Sequence, residues 1–171
     1  GADDLLLCLL FPAWRHQWSS LKWVCDVSQV IGGGEVVWGE VTKRAAESGY
    51  GRVLRLSVLL AGELFGAPVP DGLLDEAAED GCVRGAAEEI TRRFWADATA
   101  EEDVWALRRA QARLLERRRD RARYWAGLFL LPAYTEWQAV PLPQPLFLLY
   151  FLVRPVRLVA RYAPRALGLG R

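Results

Sequence analysis

The residues with the greatest chemical capacity in this chain are concentrated in one short stretch near its amino end. "HQWSSLKWVCDV", residues 16–27, contains the only histidine together with Trp18, Lys22 and Asp26. General acid–base work by His16 would need a positioned partner and a substrate pocket, and the sequence indicates neither. Two interpretations therefore stay open. Either these four side chains form a binding site, or the stretch is the packed seam between two helices.

The seam interpretation follows from helical spacing. On a helix over 19–31, small and apolar residues three and four apart share one face, namely Leu21, Val24, Cys25, Ser28 and Ile31. Trp23 flanks this face and would be a core residue if the seam interpretation holds. Lys22 and Asp26 are spaced i, i+4 on the opposite side, which suits a weak exposed ion pair. The histidine and the first tryptophan precede the helix, in the connection.

A second stretch with chemical capacity is rich in arginine. Residues 108–123 hold eight Arg against two acids, although the whole chain has a formal net charge of only +1. Arg side chains neutralise nucleic-acid phosphates, and Arg-rich helices with Trp and Tyr suit anionic membrane surfaces. A solvated helix face is the alternative, because the acidic segment 71–103 can compensate the charge. We predict no specific nucleic-acid partner and a basic surface formed by Arg117, Arg118, Arg119, Arg121, Arg154, Arg157 and Arg161.

Several kinds of chemistry are excluded by the residue types that the sequence lacks. The cysteines, Cys8, Cys25 and Cys82, are widely spaced and indicate neither a zinc site nor a disulfide framework. No Asp-x-Asp pair is present to bind Mg²⁺. "GGGEVVWGE" lacks the Lys-Ser/Thr of a phosphate loop and is predicted to connect two helices. We therefore predict no catalytic residue, metal ligand or cofactor in this chain, and free thiols in a cytoplasmic protein.

Helical spacing recurs along the chain, whereas strand-like alternation does not persist. We predict that Pro12 interrupts the first helix and that glycines end the later ones. One long Arg-rich helix is predicted from Thr99 to Leu131, with Thr99 and Glu102 in a capping box. The predicted fold class is all-α, an irregular bundle of about seven or eight helices. Those before the long helix are 3–11, 19–31, 35–48, 52–65, a short acidic helix capped by Asp71, and 83–97.

The chain is predicted to divide at the proline that follows the long helix. Residues 1–131 would form a helical domain. Residues 132–171 would form a Pro-rich connector and a hydrophobic, basic carboxyl-terminal helix that packs on this domain. The apolar run of this last segment is interrupted by Arg154 and Pro155, and it is shorter than the ~20 residues that span a bilayer. Because the chain starts at Gly1 and contains no Met, we expect a piece of a longer protein.

Three segments, in order along nearly the whole chain, resemble one known family. They are "HQWSSLKWVCDV", "RAAESGYGRVLRLSVLLAGELFGAPVP" and "LLPAYTEWQAVPLPQPLFLLYFLVRPVRLVARY". The chain resembles the carboxyl-terminal half of the uncharacterised bacterial nucleotidyltransferase family, a branch of the DNA polymerase β-like superfamily. The residues that match the family's His-x-Trp…Leu-x-Trp…Asp pattern are His16, Trp18, Leu21, Trp23 and Asp26.

The resemblance implies a mixed α/β catalytic module ahead of Gly1, with the carboxylates that bind Mg²⁺ in nucleotidyl transfer. Mg²⁺ and an NTP would then belong to the full-length protein, and this segment alone would be inactive. The sequence departs from the pattern at "LLFPAWRH", where relatives usually have a His-Gly pair, and at Glu136, where an Asp is common. The first departure removes a second histidine from the same loop.

Two functions of different classes follow. The resemblance implies the acceptor-side or supporting region of an enzyme that transfers a nucleotidyl group from an NTP to an unidentified acceptor. Its partner would be the amino-terminal module. The alternative is a non-catalytic helical module that docks on a partner protein or, peripherally, on a membrane through its basic carboxyl-terminal region.

Overall fold

The computed structural model of the chain describes residues 1–96 and 103–131. These ranges contain no strand, and 78% of their residues are helical. The predicted all-α multi-helix bundle is therefore confirmed. The eight helices are α1 (Ala2–Arg15), α2 (Leu21–Gly32), α3 (Trp38–Ser48), α4 (Gly51–Phe65), α5 (Asp71–Glu79), α6 (Gly81–Phe94), α7 (Val104–Arg113) and α8 (Arg118–Leu130).

The chain divides into two compact units, residues 1–121 and 122–171, and the packing described below is that of the first. The predicted connector and terminal helix over 132–171 lie outside the described residues. Within the part of the chain that is described, no helix combines the length and the apolar character needed to cross a membrane.

Helix α4 is the centre of the first unit. Its sequence, "GRVLRLSVLLAGELF", is apolar around most of its circumference, as expected for a helix that is covered by others. It contacts α1, α2, α3, α5 and α6. Its buried residues are Gly51, Val53, Leu54, Leu56, Ser57, Val58, Leu59, Leu60 and Ala61. The core of the unit is therefore built around α4.

Most helix ends in the first unit follow local rules that the sequence displays. Helix α2 is N-capped by Ser20, whose hydroxyl accepts a hydrogen bond from the Lys22 N–H. Helix α3 ends at Gly49, which has a φ of 79° and so adopts the left-handed conformation that glycine tolerates. Helix α4 ends in the same way at Gly66, with a φ of 63°. These glycines confirm the predicted ends of α3 and α4.

The predicted interruption at Pro12 is wrong, because α1 continues through it to Arg15. A proline inside a helix removes one N–H donor and leaves the carbonyl four residues earlier without its helical partner. That carbonyl belongs to Cys8, which is exposed, so water can hydrate it. The helix therefore tolerates the proline at this position.

The single long Arg-rich helix is also wrong, because the described part of it forms α7 and α8 with a break at 114–117. Leu114 and Leu115 are both buried at the break. Glu116 and Arg117 bind groups on α4 and α3. Helix α7 is N-capped by Asp103, whereas the predicted capping-box residues lie outside the described ranges. Residues 114–117 thus contact α3, α4 and the core instead of continuing the helix.

Candidate functional site

The connection between α1 and α2 has an unusual backbone. Two consecutive residues that are not glycine have positive φ, 56° at Gln17 and 45° at Trp18. The Gln17 N–H donates to the Trp14 carbonyl at 3.0 Å, and the Trp18 N–H donates to the Ala13 carbonyl at 3.0 Å. A left-handed conformation is unfavourable for residues with a Cβ. This connection is therefore locally strained, and strain of this kind is often found at functional positions.

The left-handed pair places Trp18 in the core. Its side chain is only 2% exposed, and it is the largest fully buried side chain in the described ranges. Among the described residues, its indole N–H has no hydrogen-bond partner. Trp18 was predicted as a binding residue, but the structure gives it the packing role of the seam interpretation. It can support a site from behind but does not present its ring to a ligand.

His16, by contrast, lies on the surface and stacks on Trp23. The two rings are nearly parallel, 8° apart, with their centroids separated by 5.3 Å. The Lys22 ammonium lies over the same indole, 5.7 Å from its centroid, in a cation–π arrangement. We call these three residues the His16 cluster. Trp23, which the seam interpretation expected in the core, is only half-buried and takes part in this exposed cluster.

Asp26 lies one turn after Trp23 on α2 and is half-buried. The expected ion pair between Lys22 and Asp26 is not among the ion pairs of the described residues, since the Lys22 ammonium lies over the indole instead. The buried residues of α2 are Val24, Val27 and Ile31, so its core face is turned towards Val27 relative to the prediction.

Gln111 on α7 holds the strained connection from behind. Its amide nitrogen donates to the carbonyls of Trp14 (2.7 Å) and Arg15 (3.3 Å) at the end of α1. Its amide oxygen accepts a hydrogen bond from the Gln17 side chain at 3.1 Å. The Trp14 indole N–H in turn donates to the backbone carbonyl of Gln111 at 3.1 Å. Sequence reasoning missed Gln111, because one glutamine within an Arg-rich segment gives no signal.

A narrow apolar cleft lies behind the same connection, between α6 and α7. Its walls include Trp18, Ile90, Leu107 and Gln111, and its volume is about 30 Å³. Such a volume holds roughly one or two water molecules. The cleft is therefore too small for a nucleotide or a metabolite, and the exposed His16 cluster is the better candidate for ligand contact.

A wider, open groove of about 270 Å³ lies between α1 and α3. Its walls include Leu10, Phe11 and Tyr50, and Arg44 is the one cationic wall residue among those that the structure describes. The Arg44 guanidinium is already paired with the Asp4 carboxylate at 2.9 Å. The groove therefore offers apolar surface and no unpaired guanidinium.

Only some of the arginines predicted to form a basic surface are exposed. Arg117 donates to the carbonyls of Ala46 (3.3 Å) and Glu47, the last turn of α3, and so acts as its carboxyl-terminal cap. Arg121 donates to the Leu115 carbonyl at 2.6 Å. Arg118 and Arg119 are exposed, and the remaining predicted members, Arg154, Arg157 and Arg161, lie outside the described residues.

A partly buried ion network joins α4 to the break between α7 and α8. Arg55 binds Glu116 at 3.1 Å and Asp80 at 3.4 Å, and Arg52 binds Asp80 at 2.9 Å. We call these four residues the Asp80 network. A Cβ on Gly51 would lie 2.8 Å from Oε1 of Glu116, so a larger residue at that position would require the Glu116 carboxylate to shift.

Asp80 also caps α6, where its carboxylate accepts hydrogen bonds from the N–H groups of Cys82 and Val83. Burial alone would raise the pKa of Asp80. The hydrogen bond from Arg52 and the two backbone N–H groups outweigh this effect and hold the pKa below its ordinary value of 3.8. Asp80 is therefore kept ionised by its partners, and its role is to join α4 to α6.

In the described ranges, no group of three or more His, Cys, Asp or Glu residues is arranged to hold a metal ion. Comparisons of the chain with protein-family models, with curated proteins and with solved structures give no match. The family resemblance therefore stays a prediction that rests on the quoted segments.

Proposed function

We propose that this chain is the helical carboxyl-terminal region of a nucleotidyltransferase, on the acceptor side or in a supporting role. The proposal rests on the resemblance to the nucleotidyltransferase family and on one structural observation. Residues of the shared pattern, His16 and Trp23, stack on each other at the surface, while Trp18 packs beneath the connection that carries His16. The pattern can thus be explained physically: His16 and Trp23 form an exposed stacked pair, and the buried Trp18 supports the connection that carries His16.

In this proposal the NTP and Mg²⁺ are held by an amino-terminal module, and the His16 cluster contacts the acceptor. An exposed imidazole and an ammonium that contact the same indole suit an acceptor with anionic or hydrogen-bond-accepting groups. Asp26 lies one helical turn away and could accept a hydrogen bond from an acceptor hydroxyl. The chain alone is expected to be inactive, because its sequence contains no Asp-x-Asp pair to bind the metal.

The test uses the full-length protein with its upstream module. An upstream Gly-Ser followed by Asp-x-Asp on a strand is expected. Transfer from labelled ATP in the presence of Mg²⁺ would then be assayed against a panel of small-molecule and protein acceptors. We expect Lys22→Ala to lower kcat/KM by about 10-fold, which corresponds to ~1.4 kcal/mol.

Lys43→Ala is the matched control, because Lys43 is the other lysine of the chain and is likewise exposed on a helix. Its activity should equal that of the wild type. An upstream region without metal-binding carboxylates would contradict the enzyme proposal. Equal activity of the Lys22 and Lys43 variants would instead remove Lys22 from the site.

A specific observation also favours the alternative, a docking module with peripheral membrane contact. Helix α8 carries exposed arginines at its start, Arg118 and Arg119, and exposed apolar residues at its end, Phe129 and Leu130. This order suits a helix whose apolar end enters a lipid surface while its cations bind anionic headgroups. Co-sedimentation with phosphatidylserine vesicles, lost in the Arg118→Glu/Arg119→Glu variant and absent with phosphatidylcholine, would support docking.

A further inference from the structure

The position of His16 is determined by the two residues that follow it. His16 ends α1, and the chain then turns through the left-handed pair Gln17 and Trp18 before α2 begins. The Ser19 N–H donates back to the His16 carbonyl at 3.1 Å. If Gln17 and Trp18 relaxed to negative φ, the chain would leave α1 in another direction, and the imidazole would move relative to Trp23.

Neither residue type favours this conformation by itself. Asn, Asp and Gly are the residues that commonly adopt positive φ, and Gln and Trp are not among them. The indole N–H of Trp18 also lacks a partner within the part of the chain that the structure describes. Contacts from elsewhere in the fold must therefore hold the pair in place.

Those contacts come mainly from Gln111. Its amide binds the last two carbonyls of α1 and the side chain of Gln17, so one buried side chain fixes both sides of the turn. It is only 4% exposed and is one of the two buried polar residues of the described core. Arg93 adds a bond from α6 to the Gln17 carbonyl at 3.3 Å.

We propose that Gln111 is a positioning residue of the candidate site. From α7 it holds the left-handed Gln17–Trp18 pair and thereby fixes His16 in its stack on Trp23. The assignment rests on the proposed function only for the acceptor role of the His16 cluster, and the positioning effect itself is independent of catalysis. Gln111 touches no substrate in this scheme and acts through the connection.

The chain provides a reporter for this effect, because His16 is its only histidine. The carbon-bound imidazole protons therefore give one set of signals in a ¹H–¹³C NMR spectrum. In the stacked geometry the indole ring current moves these signals upfield of their position in the urea-unfolded chain. Trp23→Leu should abolish this upfield shift and provides the reference for an unstacked imidazole.

The informative substitution is Gln111→Met, which keeps the length of the side chain and removes its hydrogen bonds. We expect loss of most of the upfield shift while the circular dichroism spectrum remains helical. Gln29→Met is the matched control, since the exposed side chain of this glutamine bonds, among the described residues, only to Sγ of Cys25 on its own helix. It should leave the His16 signals unchanged.

If Gln111→Met does not fold, Gln17→Ala replaces it, because this change removes the bond to the Gln111 amide and leaves the core intact. A reduced upfield shift in the folded variant supports the proposal. A folded Gln111→Met or Gln17→Ala variant with the wild-type shift overturns it. Because the spectrum is recorded without substrate, failure of the enzyme assay and failure of this proposal remain separate results.

Discussion

Two turns of the first unit use left-handed backbone in opposite ways. The turn from α3 to α4 places Gly49 at a φ of 79°, where glycine has no side chain to clash. The turn from α1 to α2 places Gln17 and Trp18 at positive φ, where both side chains are unfavourable. One turn is relaxed through its residue type, and the other is held in place by its surroundings.

The difference follows from what each turn must accommodate. At Gly49 other residues pack against the backbone: an added Cβ would lie 3.1 Å from Oδ2 of Asp120 and 3.2 Å from Cδ of Arg117. At the α1–α2 turn the side chains themselves are required, because Trp18 fills the core and Gln17 binds Gln111. Glycine is therefore suited to the first turn. In the second turn, glycines would remove the buried Trp18 side chain and the bond from Gln17 to Gln111.

Magnitudes show why the second turn depends on its supports. Burial of 150–250 Å² of indole at ~25 cal/mol per Å² stabilises by roughly 4–6 kcal/mol. Two left-handed residues cost about 2–4 kcal/mol, and the unpaired indole N–H costs about 1–3 kcal/mol. These terms nearly cancel, so the hydrogen bonds from Gln111 and Arg93 decide the conformation.

The largest expected effect tests the burial of the tryptophan. Trp18→Ala should lower the free energy of unfolding by ~3–5 kcal/mol, because it empties a core position. Trp23→Ala should lower the free energy of unfolding by only about 1 kcal/mol, because Trp23 is half-exposed. If Trp23 were a core residue, the loss would be as large as for Trp18→Ala. Urea melts followed by circular dichroism measure both. Equal losses would contradict the contrast between the buried and the exposed tryptophan.

The second prediction concerns the relaxed turn. Gly49→Ala should destabilise the protein by about 1–2 kcal/mol, because it forces a Cβ into left-handed backbone beside Arg117 and Asp120. Gly39→Ala is the matched control in the first turn of α3, where no described residue outside the adjoining backbone lies within 4 Å of the added Cβ. That variant should gain roughly 0.5–1 kcal/mol. A neutral Gly49→Ala variant would show that this turn does not require glycine.

The third prediction concerns the Asp80 network, which joins α4 to α6 and to the break before α8. Asp80→Asn keeps an N-cap of similar quality and removes the charge that Arg52 and Arg55 bind. Because the folded pKa of Asp80 is lowered, its contribution is fully present above the unfolded pKa and is lost as the pH falls through the folded value. The wild type should be about 1 kcal/mol more stable at pH 7.

Urea melts between pH 7 and pH 2.5 would follow that difference. It should shrink as the pH falls below the ordinary Asp pKa of 3.8, because the carboxyl group of the unfolded chain then binds its proton before that of the folded protein. A difference that stays constant with pH would mean that the carboxylate charge is not responsible.

The smallest expected effect concerns the strained turn. Gln17→Gly relieves one left-handed side chain, but it also removes the bond to Gln111 and makes the unfolded chain more flexible. These terms offset, so the free energy of unfolding should change by less than ~0.5 kcal/mol, in contrast to the change at Gly49. Differential scanning calorimetry detects the shift in Tm. A loss above ~1.5 kcal/mol would argue against strain at Gln17.

Much of the helical framework could be predicted from the sequence because its signals are local. Gly49 and Gly66 end helices through their own φ, and Ser20 caps α2 through its own hydroxyl. The apolar circumference of α4 likewise marks a central helix. Each of these features depends on residues within one or two turns of the chain.

The rest depends on partners distant in sequence. The break before α8 follows from Glu116 and Arg117, whose partners lie 61 to 71 residues away. The exchange of roles between Trp18 and Trp23 follows from left-handed backbone that is stabilised by Gln111, 97 residues from Trp14. Residue types near position 17 do not indicate that backbone, because Gln and Trp rarely adopt it.

The close approach between Gly51 and Glu116 links the evolution of two distant positions. A Cβ at position 51 would lie 2.8 Å from Oε1 of Glu116 and 3.2 Å from its Cδ. In a homologue that has alanine at 51, either the carboxylate of Glu116 must move or a shorter side chain must replace it, and both changes weaken its bond to Arg55. We expect these positions to change together during divergence, so that an alignment of relatives would show them as a covarying pair.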